Sequence, residues 1–151
     1  MDLHDVARQI EVEHQMLAQL IEGLRITTSW QVQGNDTSRK LSTLRFVVAS
    51  FQRHLDRLLT LEEHGGYMEL VGAADPCLGR ATTALQAEHN LFRTQVRQIS
   101  GRLEALSATD GAELAKACAD LLVLVHQIEK HNRKEIDLLQ EAFGRESGGE
   151  G

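Results

Sequence analysis

The sequence predicts an all-α protein, an up-down-up-down antiparallel four-helix bundle. Three observations carry this prediction. Apolar residues recur every three or four positions along four long segments, the period of a helix with one buried face. The single proline, Pro76, falls at a segment boundary and not inside one. Aromatics are only 4% of the chain and β-branched runs are few, which disfavours a β-sandwich. At 151 residues and 42% hydrophobic content the chain is the size of one domain with a real core.

The first helix is expected over Leu3 to Thr28, with the stripe Val6, Ile10, His14, Leu17, Ile21 and Leu24. Gly34-Asn35-Asp36 is a turn signal, and Asp36, Thr37 or Ser38 is placed to cap the next helix. The second helix starts near Arg39 and reads Leu41, Leu44, Val48, Phe51, Leu55, Leu58, Glu62. It either stops at Gly65-Gly66 or continues to about Gly72. Asp75-Pro76 is a helix start, Asp as N-cap and Pro in the first turn. The third stripe is Leu78, Leu85, His89, Phe92, Val96, Ile99, Leu103 and Leu106. Thr109-Asp110-Gly111 separates it from the fourth, which reads Leu114, Cys118, Leu121, Leu124, Ile128, His131, Glu135, Leu138 and Ala142. Gly144 is expected to end that helix, giving a bundle over 1–144 and a Gly/Glu/Ser-rich disordered tail over 145–151. Short connections make neighbouring helices antiparallel.

Composition excludes several functions. With 16 Lys+Arg against 22 Asp+Glu the net charge is −6, which repels nucleic-acid phosphates. No apolar run approaches the roughly 20 residues that span a bilayer, so no membrane role is expected. The start, Met1-Asp2-Leu3-His4-Asp5, lacks signal-peptide order. Cys77 and Cys118 have no CxxC spacing, so neither a disulfide framework nor a zinc ribbon is expected, and a reducing cytoplasm is the default.

Seven histidines outnumber the six Phe, Trp and Tyr residues together. Each apolar stripe contains a His or a Glu: His14, Glu62, His89, and the pair His131 and Glu135. A buried carboxylate or imidazole costs several kcal/mol unless paired, hydrogen-bonded or bound to a metal. One such residue is an ordinary core histidine. One from every helix of a bundle converges on a common axis. His131 and Glu135 are also four apart, so an imidazole and a carboxylate project together. His14 and His89 lie about eleven and thirteen residues from the starts of their helices, and His131 and Glu135 about twelve and eight from the end of theirs, so at ~1.5 Å per residue they share a height. A second helix that stops at Gly65 would bring His54 to that height. One that continues would bring Glu62, about 12 Å further along. A thiolate-free mixture of carboxylates and imidazoles suits iron or manganese.

These residues resemble the hemerythrin-like, or HHE, cation-binding domain over about residues 5 to 143. The resemblance is carried by Glu13-His14, by Leu58-Leu59-Thr60-Leu61-Glu62-Glu63-His64-Gly65-Gly66-Tyr67-Met68, by Pro76 to Glu88-His89, and by His131-Asn132-Arg133-Lys134-Glu135 with Leu138 to Phe143. It implies a non-haem di-iron site that binds oxygen, nitric oxide or iron. Carried over by position, His14 is the imidazole on one iron, His89 and His131 are imidazoles on the other, and Glu62 and Glu135 bridge. It also favours the continued second helix. One departure stands out: the family's second-helix motif is HxxxE, and this chain has Leu58 where the histidine belongs. His54 shares that face one turn away, about 6 Å. Three outcomes remain open: two metals with one under-coordinated, one metal on His89, His131, Glu62 and Glu135, or a degenerate bundle that binds none and serves as a structural or interaction module. A di-iron enzyme that activates oxygen or peroxide is a further alternative, without an organic substrate pocket to support it.

Other candidates read as bland. His4, His64 and His126 are expected on the surface, as are Glu63 and the arginines Arg93, Arg97 and Arg102. Tyr67 is either a hydrogen-bond donor near the site or a cap on the bundle end. Cys118 is a small core residue. Cys77, in a first helical turn, is a candidate for a lowered pKa.

Overall fold

Helical periodicity alone places most of the chain, and the computed structural model follows it. The structure describes residues 3–34, 37–64, 68 and 76–147. The first helix, α1, spans Leu3–Thr28 and the second, α2, spans Ser38–His64. A 3-10 turn over Pro76–Leu78 leads straight into α3, Gly79–Ala105, and α4 spans Gly111–Ser147. Among the described residues there is no strand. Each helix packs on its chain neighbour and α1 also meets α4, closing the ring of a four-helix bundle.

The expected stripes are the core. Val6, Ile10, Leu17, Ile21 and Leu24 of α1 are buried, as are Leu41, Leu44, Val48, Phe51, Leu55 and Leu58 of α2. Leu85, Phe92, Val96, Ile99 and Leu103 of α3 meet Leu114, Cys118, Leu121, Leu124 and Ile128 of α4. Fully burying one such side chain contributes about 1.5–3 kcal/mol. Leu106 is only partly buried, at the end of its stripe.

One end of the bundle is stitched by polar groups. Thr37 is the residue before α2, and its carbonyl accepts the Leu41 N–H at 2.8 Å. Its hydroxyl does not cap the helix but donates to the Ala108 carbonyl at 2.8 Å, tying the α1–α2 loop to the α3–α4 loop. Arg45 donates to the Leu103 and Leu106 carbonyls, and Lys40 to those of Thr28 and Trp30, so α2 satisfies the ends of both α3 and α1. Asp110 precedes α4, its carbonyl accepting from Leu114, while its side chain accepts from the Ser107 N–H. Gly34 supplies the positive φ, 66°, that the α1–α2 turn needs.

Two boundaries differ from expectation: Pro76, expected in the first turn of the third helix, lies in the 3-10 turn, and α3 begins at Gly79. The fourth helix runs through Gly144 to Ser147. Glycine costs a helix only about 1 kcal/mol relative to alanine, so by itself it does not stop one. Residues 145–147 are therefore helical, and 148–151 lie outside the described residues. Asp36, Gly65-Gly66, Tyr67 and the Gly72–Asp75 break also lie outside them, as do the side chains of His4 and Ala142.

Candidate metal centre

Each helix delivers its polar residue to the same place. Glu62, His89, His131 and Glu135 are all buried, and one ligand atom from each lies within 4.8 Å of all the others. Glu62 reaches this height from the last turn of α2. Spacing alone left Glu62 and His54 as alternatives for this position, the resemblance favoured Glu62, and the structure brings Glu62 there. His54 lies two turns earlier, where its Nδ1 meets Glu13 Oε2 at 3.2 Å.

His89 Nε2 is 3.2 Å from Glu62 Oε2, 3.2 Å from Glu135 Oε1 and 3.2 Å from His131 Nε2. His131 Nε2 closes on Glu135 Oε1. On the other side His14 Nε2 is 3.3 Å from Glu62 Oε1 and 3.8 Å from Glu135 Oε2. Each carboxylate thus turns one oxygen toward the His89–His131 pair and the other toward His14. The result is two adjacent donor sets that share Glu62 and Glu135. The first has two imidazoles and is closed to solvent. The second has one imidazole, His14, whose side chain is 17% exposed. A groove of about 260 Å³ between α1 and α4 reaches this side, lined by His14, Ala18, Ile21, Asn132 and Ile136 among others.

Leu58 lies one turn before Glu62 and is fully buried. It is a buried apolar side chain at the position where the resemblance expects a histidine. His54 does not take over, since Glu13 holds its Nδ1, and Arg57 pairs with the same carboxylate at 3.4 Å.

The centre is poorly satisfied by its own polar groups. Both oxygens of Glu62 are buried and neither makes a hydrogen bond, although two imidazole nitrogens approach them. An unsatisfied buried acceptor costs about 1–3 kcal/mol, more for a charged one. The titration pattern shows the same tension. Burial pushes the Glu62 carboxyl up against the pull of His14 and His89. Burial also opposes ionisation of Glu135, but His131 and His89 hold its carboxyl well below the usual range. Burial would lower His89, yet Glu135 and Glu62 more than reverse this and raise it to about 10. His131 rises likewise, burial being outweighed by Glu135 and Glu88. In the bare centre, protons therefore supply the positive charge that the donors demand. A bound cation would supply it instead, and the imidazole and carboxylate donors fit a first-row transition metal.

Two residues expected on the surface belong to this assembly. Glu63 accepts from His89 Nδ1 at 3.1 Å and is gripped by two nitrogens of Arg93 at 2.7 and 3.0 Å, which hold its carboxyl low. Glu88, which no sequence reading singled out for its own side chain, contacts His131 Nδ1 at 2.8 Å. Glu13, also missed, is buried beside His54. The other minor expectations agree with the structure: His64, His126 and Arg97 are exposed, and Cys118 is buried. Arg102 is a surface residue paired with Asp120 at 2.7 Å.

Among the described residues no helix is long and apolar enough to cross a membrane. The family model of the hemerythrin HHE cation-binding domain matches residues 5–143, nearly the whole chain. No curated protein and no solved structure gave a match.

Proposed function

The chain belongs to the hemerythrin HHE cation-binding domain family, and we propose that it holds non-haem iron in the bundle core and binds a small diatomic ligand, oxygen or nitric oxide. The observation that carries this reading is Glu62, fully buried, with neither oxygen hydrogen-bonded and each turned toward a different imidazole set. Such a carboxylate is costly in a structural core and useful as a bridge.

His89, His131, Glu62 and Glu135 would hold one iron, and His14 with the second oxygens of Glu62 and Glu135 would hold another. Iron there would supply redox change and an open coordination position. The chain's residues do the rest. Leu58 removes a donor from the His14 side and leaves that position with fewer protein ligands than the other. The α1–α4 groove gives a small molecule access to the same side. On the closed side, Phe92 stands edge-on to His131, ring centres 5.1 Å apart, and keeps water out. Neither Cys77 nor Cys118 is in a disulfide, which is in keeping with a reducing, cytoplasmic setting.

Metal analysis of protein from iron-supplemented cells, with absorption spectra before and after exposure to air or nitric oxide, tests this reading. Up to two irons per chain, with an oxygen- or nitric-oxide-dependent band, is the expected result. A folded protein that retains no transition metal would overturn it and leave a bundle with a structural or interaction role.

A further inference from the structure

The two buried imidazoles of the closed side share a bracing pattern that crosses between helices. His89 on α3 is met at Nδ1 by Glu63 of α2, the residue after the donor Glu62. His131 on α4 is met at Nδ1 by Glu88 of α3, the residue before the donor His89. Each brace is in turn held by a cation one turn beyond the imidazole it supports. Arg93, four residues after His89, grips both oxygens of Glu63. Lys134, three residues after His131, approaches Glu88 Oε1 at 3.5 Å. Asp56 of α2 faces Arg93 Nε at 3.8 Å and Asn90 accepts from its Nη1 at 3.4 Å, so the guanidinium is fixed from three sides.

A carboxylate at Nδ1 accepts a hydrogen bond and so keeps the proton of a neutral imidazole on that nitrogen. The lone pair then sits on Nε2. In both rings Nε2 is the atom that faces Glu135 and the other ring. Without the braces each ring could rotate or carry its proton on Nε2, and the donor set would be lost.

We propose that Glu63 and Glu88 are positioning residues that fix the tautomer and orientation of His89 and His131, and that Arg93 and Lys134 hold those two carboxylates in place. This rests on the iron-centre reading above. The two braces are unequal. Glu63 is clamped by a two-pronged guanidinium, whereas Glu88 meets a single, half-exposed ammonium at longer range. Arginine suits the first role because its planar fork matches a carboxylate and lysine does not. Loss of the Glu63–Arg93 arm therefore disturbs the centre more than loss of Lys134.

The test is competition for iron against a chelator of known affinity in the full chain, with the absorption spectrum of the iron-loaded protein recorded alongside. Glu63→Ala should weaken iron about 10–100-fold, the usual cost of removing such a partner, and shift the iron-centred band. Arg93→Gln should act in the same direction and Arg93→Lys should restore part of the loss. Lys134→Gln should have the smallest effect. Glu63→Gln keeps the shape and an acceptor oxygen, so it guards against a folding failure in the alanine variant and should lie between it and the parent. Variants that melt at a lower temperature but keep parental iron affinity and spectrum would overturn the proposal, because that is the signature of a merely structural brace. A parent chain that binds no iron overturns the reading beneath it instead.

Discussion

Leu58→His is the most informative single change, because it adds a donor to one side of the centre and its cost to the metal-free core can be measured separately. The Leu58 side chain is 1% exposed and sits one turn before Glu62. Losing its burial costs about 1.5–3 kcal/mol. An imidazole left there without a partner adds about 1–3 kcal/mol for an unsatisfied polar group. The metal-free variant should therefore be less stable by about 3 kcal/mol or more. At roughly 2–4 °C per kcal/mol for a chain of this length, its melting temperature should fall by about 6–12 °C. Iron should reverse much of that loss, since a ligand at 100 times its dissociation constant returns about 2.7 kcal/mol. Calorimetry of the metal-free and iron-loaded forms, paired with iron titration, measures both halves. The expected pattern is a parent with one tight and one weak iron and a variant with two of similar affinity. The reasoning fails if the variant loses metal-free stability yet binds iron no better than the parent. It fails equally if the parent already holds two irons with equal strength, because the vacancy assigned to Leu58 would then be filled by another donor.

Further outcomes rest on the same geometry. Glu135→Ala should abolish iron binding altogether, since its two oxygens serve both sides, whereas His14→Ala should leave one iron per chain; metal analysis after desalting distinguishes zero from one. In the metal-free chain His89 is raised from 6.5 to about 10, burial being outweighed by Glu135 and Glu62. Its stabilising contribution is complete below about pH 6.5 and is lost as pH rises through about 10, and the upward shift of Glu62, caused by burial, acts in the same direction. Denaturation midpoints of the metal-free protein should therefore fall across that interval, while iron affinity measured by chelator competition rises as binding displaces the proton. Leu44→Ala, at a fully buried site in the half away from the centre, should cost about 2–5 kcal/mol in stability and leave iron affinity unchanged.

Much of this was legible in the residue order. The stripes of α1 to α4 reflect a 3.6-residue period and supply most of the buried residues, while Leu59, Ala117 and Val125 join the core from beside them. The five polar residues were found because a His or Glu on an apolar face is expensive, and because four such faces share one axis. Spacing alone could not decide between His54 and Glu62, since counting from a helix end fails when that end is uncertain by two turns; the resemblance supplied the choice. It also misjudged Glu63 and Arg93. Each lies off the buried stripe and reads as surface, yet a long side chain can lean along its helix to a neighbour's imidazole. A signal was present in the acids flanking Glu62 and His89 and in the bases at His89+4 and His131+3. It has meaning only once the helices are known to be adjacent.

The two halves of the bundle divide the work. At one end Thr37, Lys40 and Arg45 fasten three helix termini and two loops, above core layers that include Leu24, Leu44, Leu103 and Leu114. That half ties its helix ends together through side-chain donors and fills its core with apolar residues. The other half puts His89, Glu62, His131 and Glu135 where leucines would pack. It gives up hydrophobic burial and gains two buried carboxylate oxygens that make no hydrogen bond. Excess histidine over aromatics is the compositional trace of this exchange. A bundle under selection for folding alone would replace such residues, because each substitution toward leucine removes a desolvation cost. Their joint presence, braced by Glu63 and Glu88 on the outer nitrogens, is accounted for when a cation completes the half of the core that the side chains leave open.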